Sequence, residues 1–405
     1  MKLAVVVTEF PKSTETFIYR DLVKFLETGV DVRLYHLTPF RRGQTLHGFA
    51  APLKDRAVDL SFWQPGPSLR GLLRHPRALA CGIARMLWAY RRHPKLAAKS
   101  LALLPKALAI AEHARAAGAT HVHAEFAGHP ATAAWLGQRA GGLPYSVSCR
   151  AHDIFRTQAL LAEKLGEAAA IRTVSDFGRN FLREKVPALA GRKIDVIHSS
   201  VDVGRIAPVD AAPSTAPFRI LYVGALEPKK GVSHLLDALV LAGPQLGDWT
   251  CDLIGHGPDA QSLQARAYAL GLGERARFLG MQPFETVAEA YRTASVCVAP
   301  SVIGPNGRQE GIPNVMIEAL AYQRPAITTA ISGIPELIRD GDTGLLIPPG
   351  DPAALSQALL RVHADPQAAL AMAKRGRAHV EREFDLAANT RRQLDLFFGS
   401  AASAQ

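Results

Sequence analysis

Leu3-Ala4-Val5-Val6-Val7 is a continuous apolar run, followed by a polar loop from Thr8 to Thr16, helical sequence near Phe17 to Thr28 and a second strand-like run from Val30 to Leu37. An apolar strand without alternation reads as buried on both faces, so this opening predicts the β-α-β start of a parallel sheet. Further strands are predicted at Thr120 to Ala124, Tyr145 to Cys149, Ala169 to Val174 and Ile194 to Ile197, each but the last with helical sequence behind it. From Val203 to Pro217 the composition turns to Pro, Ala, Asp and Ser, which reads as a linker. A fresh strand follows at Phe218 to Val223, and the alternation resumes through Thr250 to Ile254, Ala276 to Leu279, Val296 to Ala299, Pro325 to Thr329 and Gly344 to Ile347. The predicted class is α/β, with two doubly wound domains. Their expected extents are 1–205 with a helical insert at about 66–116, a linker at 206–217, 218–385, and a closing helix and tail at 386–405.

A chain of 405 residues is long enough for two such cores. No apolar stretch approaches the roughly 20 residues of a membrane span, and the run at Leu3 to Val7 is too short for a signal-peptide core. The expected location is therefore the cytoplasm. Cys81, Cys149, Cys251 and Cys297 are far apart with no C-x-x-C pair, so they predict neither a disulfide framework nor a zinc site and read as buried small hydrophobes.

Charge is unevenly spread. Residues 1–200 carry 29 Lys and Arg against 15 Asp and Glu, a net +14, while the remainder carries 18 against 21. Residues 60–111 contain no acid, yet hold Arg70, Arg74, Arg77, Arg85, Arg91, Arg92, Lys95, Lys99 and Lys106 among Leu, Ala, Met86, Trp88 and Tyr90. This is a basic amphipathic helical pattern, and two readings stay open: a solvated helix face, or a docking face over 70–106 for an anionic membrane surface. Nucleic acid is not expected as a partner, because no helix-turn-helix, zinc-finger spacing or aromatic ribonucleoprotein motif accompanies the charge.

Three segments carry chemistry. Arg308-Gln309-Glu310-Gly311-Ile312-Pro313-Asn314-Val315-Met316-Ile317-Glu318-Ala319 places two carboxylates eight positions apart around a helix start. Pro313 suits the first helical turn, leaving backbone N–H groups from Gly311 to Asn314 for an anion, while Asn314 and Glu318 share a face. Carboxylates only accept hydrogen bonds and polyols donate many, so the pair suits a sugar beside a phosphate. Leu221-Tyr222-Val223-Gly224-Ala225-Leu226-Glu227-Pro228-Lys229-Lys230-Gly231 follows a strand and enters a helix, so Gly224 allows close backbone approach and Lys230 can reach a diphosphate. Ile254-Gly255-His256-Gly257-Pro258-Asp259-Ala260 imitates a dinucleotide fingerprint, but it lies in mid-domain with no strand-end acid about 20 residues on, and a nicotinamide enzyme is not supported.

With these motifs the chain resembles the retaining glycosyltransferases of family 4, of the exopolysaccharide and colanic-acid type, over most of its length and most strongly over 218–352. The resemblance implies the GT-B architecture, two Rossmann-like domains facing across a cleft in which donor and acceptor meet, with the last helix returning to the first domain. It implies transfer of a sugar from a UDP- or GDP-sugar to a glycan or lipid-linked oligosaccharide, without a metal or other cofactor. Glu310 would hold the transferred sugar and Glu318 the nucleotide ribose. Lys230 would neutralise the donor diphosphate, assisted by the backbone of Gly311, Ile312, Pro313 and Asn314, and Gly255 and Gly257 would form the family's G-x-G-P turn. The family's G-R-L-x-x-x-K-G has an Arg where this chain has Ala225, for which Lys229 or Arg308 would substitute. On the acceptor side the family's T-A-H-A-x-D compares with Ser148-Cys149-Arg150-Ala151-His152-Asp153, marking Arg150, His152 and Asp153, and its F-P-x-x-S-E-T-F matches the loop with Ser13 and Glu15. His121, His123, Glu125 and His129 could suggest metal ligation, but without D-x-D they are assigned to the acceptor cleft or to structure. Two other functions remain open: a non-catalytic sugar-nucleotide or glycan-binding protein, and a sugar-nucleotide 2-epimerase on the same architecture.

Overall fold

The computed structural model describes residues 1–12, 15–41, 48–61 and 64–399. The chain divides into two compact units, 1–198 with 386–405, and 199–385. The segment 206–217, expected as a linker, lies inside the second unit, where the Arg324 guanidinium donates to the carbonyls of Val209 and Ala211 and the Ser295 hydroxyl donates to Ser214 O.

In the first unit, β1 (Lys2–Val7), β2 (Asp31–His36), β3 (Ala57–Val58), β4 (His121–Glu125), β5 (Tyr145–Cys149), β6 (Ala170–Thr173) and β7 (Asp195–Val196) form one sheet in the order β3-β2-β1-β4-β5-β6-β7. Every pairing is parallel. Leu3 to Val7 are all buried, as the unalternating apolar run predicts. In the second unit, β8 (Phe218–Val223), β9 (Trp249–Ile254), β10 (Ala276–Gly280), β11 (Val296–Ala299), β12 (Ala326–Thr329) and β13 (Leu345–Ile347) pair in parallel in the order β10-β9-β8-β11-β12-β13. Strand order thus reverses beside β1 in the first sheet and beside β8 in the second. In doubly wound sheets such reversals open a crevice at the carboxyl ends of the two strands concerned, which is where ligands bind.

The basic insert is three helices, Pro65–Arg74, Pro76–Ala89 and Pro94–Ala116, each opened by a proline whose missing N–H costs nothing in a first turn. Among the described residues no helix is long and apolar enough to cross a membrane. The helix Leu386–Phe398 belongs to the first unit, where Phe397 meets Phe25 at 6.1 Å between ring centroids and His123 at 4.3 Å. Cys149, Cys251 and Cys297 are buried as expected, but Cys81 is exposed on the insert, in the helix Pro76–Ala89.

Candidate active site

At the switch point of the second sheet, the loop after β8 and the loop after β11 meet. Gly231 has φ +68°, and a Cβ there would lie 1.9 Å from Pro300 O, so only glycine permits this contact. A Cβ at Gly255, φ +142°, would lie 1.9 Å from Gly224 O. The glycines of G-x-G-P therefore let the loop after β9 touch the loop after β8, a Cβ at Gly257 falling 2.2 Å from Leu226 O. The Tyr222 hydroxyl, donating to Ala225 O at 2.7 Å, holds the loop that follows β8.

The seated loops bring Glu310 against two lysines. Its Oε2 lies 2.7 Å from Lys230 Nζ and 3.5 Å from Lys229 Nζ. Burial opposes ionisation of Glu310, and the two lysines more than offset it, holding its carboxyl below the usual range. Glu227, which the sequence reading did not single out, sits 3.5 Å from Lys229 and 3.8 Å from Arg308 and gathers those cations at the same rim.

The helix Asn314–Ala321 begins one residue later than expected, so Pro313 is its N-cap rather than its first helical residue. Pro313 O accepts from Met316 N at 2.9 Å, and the N–H groups of Gly311, Ile312, Asn314 and Val315 have no acceptor among the described residues. Asn314 Oδ1 is buried and likewise without a partner there. One turn on, Glu318 Oε2 accepts from the Tyr291 hydroxyl at 3.1 Å, and that ring stacks on Tyr322 at 5.2 Å. Tyr291 was missed because nothing near it in sequence signals the contact. The site thus combines cations, free backbone donors and carboxylates, a set suited to a phosphorylated polyol.

In the first unit Arg150, Asp153 and Glu15, expected on the acceptor side, turn inward. Arg150, 6% exposed, lies 3.1 Å from Glu125 Oε2, 3.9 Å from Asp21 Oδ2 and over the Phe17 ring, committed to internal pairs rather than offered to an acceptor. Asp153 accepts from Arg150 N at 2.8 Å through one oxygen and from Ala127 N through the other, tying the β4 and β5 loops together, and its burial pushes its pKa up to about 7. Glu15 stands at the N-cap position of the helix Thr16–Glu27 without a side-chain capping bond and pairs with Lys12 at 2.8 Å, while its Oε2 is buried with no partner among the described residues. Ser13 lies outside the described residues, and His152 is described only by its backbone in the helix Ala151–Phe155.

His121 and His123 are structural. Their rings bond the Ser146 hydroxyl at 2.8 and 2.7 Å and pack on Phe397. No three His, Cys, Asp or Glu side chains converge on a metal position among the described residues. A cavity of 580 Å³ lies away from both switch points, between β6, β7 and the helix Leu386–Phe398, lined by Arg192, Asp195, Arg392 and Asp395; no expected site residue borders it.

Residues 217–365 match the family model described as Glycosyl transferases group 1. Along nearly its whole length the chain is similar to the putative colanic acid biosynthesis glycosyltransferase WcaL of Escherichia coli strain K12, at 27% identity over 95% of this chain and 96% of that one. It is similar to the same extent to the amylovoran biosynthesis glycosyltransferase AmsK of Erwinia amylovora, at 27% identity over 95% and 96%. Among solved structures it is similar to the sucrose-phosphate synthase of Thermosynechococcus elongatus, with TM-score 0.71 and 21% identity over 97% of each chain. The Anabaena protein HepE, solved in complex with UDP and glucose, gives TM-score 0.66 and 16% identity over 97% of this chain and 98% of that one. At these identities the structural likenesses show the fold, which is GT-B.

Proposed function

We propose that this chain, which carries a glycosyl transferases group 1 domain at residues 217–365, is a family 4 retaining glycosyltransferase. It moves a sugar from a UDP- or GDP-sugar to a glycan or lipid-linked oligosaccharide in exopolysaccharide synthesis, on the cytoplasmic side of the membrane. The observation that carries this reading is the pairing of Glu310 with Lys230 at 2.7 Å, set at the switch point beside four backbone N–H groups that have no acceptor among the described residues. Similarity to proteins named for colanic acid and amylovoran biosynthesis supports the polymer class. A structural neighbour solved with UDP and glucose supports a nucleotide-sugar donor.

Lys230 and the N–H groups of Gly311 to Val315 face the diphosphate and stabilise the charge that grows on it as its bond to the sugar C1 breaks. Glu310 accepts hydrogen bonds from hydroxyls of the transferred sugar and fixes its position, and Glu318 does so for the ribose. Lys229, 3.5 Å from Glu310, and Arg308 supply the second cation that Ala225 does not. The acceptor hydroxyl attacks C1 from the face the diphosphate leaves, and its proton passes to a diphosphate oxygen. One C–O bond forms as the other breaks, and configuration is retained.

Thermal unfolding with UDP, GDP and ADP, followed by transfer assays with the matching nucleotide sugars, tests the reading. A ligand at 100 times its Kd stabilises the fold by about 2.7 kcal/mol. The expected result is a shift with one base and a product whose anomeric configuration matches the donor, undiminished by a chelator. A product of inverted configuration overturns the retaining mechanism. A nucleotide shift without transfer identifies a binding protein, and isomerised donor without acceptor an epimerase.

A further inference from the structure

The three helices of the basic insert leave Leu69, Leu73 and Trp88 exposed, at 54%, 65% and 67%. The structure also sorts the cations around them. Lys106 is buried at 2% exposure, while Arg74 and Arg85, though at the surface, are paired with Glu112 at 3.2 Å and Glu167 at 2.7 Å, so these three are already committed within the fold. Arg70, Arg77, Arg92, Lys95 and Lys99 are exposed and have no acidic partner among the described residues, and the Arg91 guanidinium lies 3.8 Å over the Trp88 ring. Trp88 ends one helix, Arg91 and Arg92 occupy the turn, and Lys95 and Lys99 stand four apart at the start of the next. Trp88, Arg91, Arg92, Lys95 and Lys99 therefore form a ridge around this one turn between two helices.

We propose that this ridge seats the protein on an anionic membrane surface, with Trp88 and the exposed leucines at headgroup depth and the free cations against lipid phosphates. Trp is favoured at that depth because it is apolar over most of its ring and polar at one edge, and long basic side chains bury their stems while their charges reach outward. The absence of any acid over 60–111 leaves the ridge's positive field uncancelled within its own segment. Nucleic acid would use the cations but gives exposed leucines nothing to bury against, whereas a bilayer uses both. This goes beyond the transferase reading and does not depend on it.

Flotation of the full chain with phosphatidylcholine vesicles, with and without roughly one-third phosphatidylglycerol, tests the proposal. Binding is expected only with the anionic lipid, and it should fall away above about 0.5 M salt. Each basic residue near the surface raises partitioning about fivefold, so Arg91→Glu with Arg92→Glu and Lys95→Glu should weaken binding by at least about a hundredfold. Arg361→Glu with Lys374→Glu and Arg382→Glu, the same charge change on the second unit, should leave it intact. Brominated acyl chains should quench fluorescence in the wild type and far less in Trp88→Phe, a readout that a merely diffuse charge attraction would not move. Equal flotation with neutral vesicles, wild-type binding by the Arg91–Arg92–Lys95 variant, unchanged quenching in Trp88→Phe, or retention by RNA in preference to vesicles would each overturn the proposal.

Discussion

At Glu310 two opposing effects meet, since burial penalises the carboxylate while Lys230 at 2.7 Å and Lys229 at 3.5 Å favour it. Glu310→Ala removes the sugar's acceptor but frees both lysines for phosphate. Transfer should therefore fall by about a hundredfold or more, while UDP or GDP alone binds at least as well as to the wild type. Near-normal turnover in that variant would sink the assigned role. At His121 the balance runs the other way, because burial holds its imidazole neutral with a pKa of about 3. The unfolded chain takes up a proton near pH 6.5 that the folded chain refuses, so the stability this residue contributes is present above that pH and drains as pH falls towards 3. The slope is about 1.4 kcal/mol per pH unit. Denaturation of His121→Gln at pH 7 and pH 5 should show a shallower loss than the wild type, with some slope remaining because His123 is shifted in the same direction. Parallel losses would mean that His121 is not held neutral.

The elements were legible where their signal is local. Apolar runs, prolines at helix starts and glycine-rich loops placed the strands and the Glu310 loop, because backbone preferences and two-face burial leave their mark on neighbouring residues. The short strand Ala57–Val58 escaped because it lies between Arg56 and Asp59 with no apolar run around it, whereas the equally short Asp195–Val196 is flanked by Ile194 and Ile197. The helix Leu386–Phe398 illustrates what local reading lacks. The polar cluster of His121, His123 and Glu125 suggests a site until Phe397 is found lying on it, 4.3 Å from the His123 ring. Phe397 is only 6% exposed, so Phe397→Ala should cost about 3–5 kcal/mol in chemical denaturation, in the transition of the first unit. A loss below about 1 kcal/mol would show that this helix merely rests on the sheet.

Over the whole molecule, the first unit is discontinuous and closes only when 386–405 joins 1–198, whereas the second is the single stretch 199–385. Two compact units, each with its own core, should unfold in separate steps. Saturating nucleotide should then raise only the transition of the second unit, leaving the other in place, as calorimetry or hydrogen exchange can report. A rise of both transitions together would place the nucleotide on residues of both units. The sequence by itself determined the α/β class, the two parallel sheets and the loop that holds Glu310, because periodicity and loop chemistry act between residues close along the chain. Only the tertiary structure decided that Arg150 is spent on Glu125, that Tyr291 holds Glu318, that Gly255 clears Gly224 and which cations of the insert stay free. Each of those outcomes turns on burial and on a partner from a distant strand or helix, and a charge keeps the same letter in the sequence whether it is paired inside or left facing water.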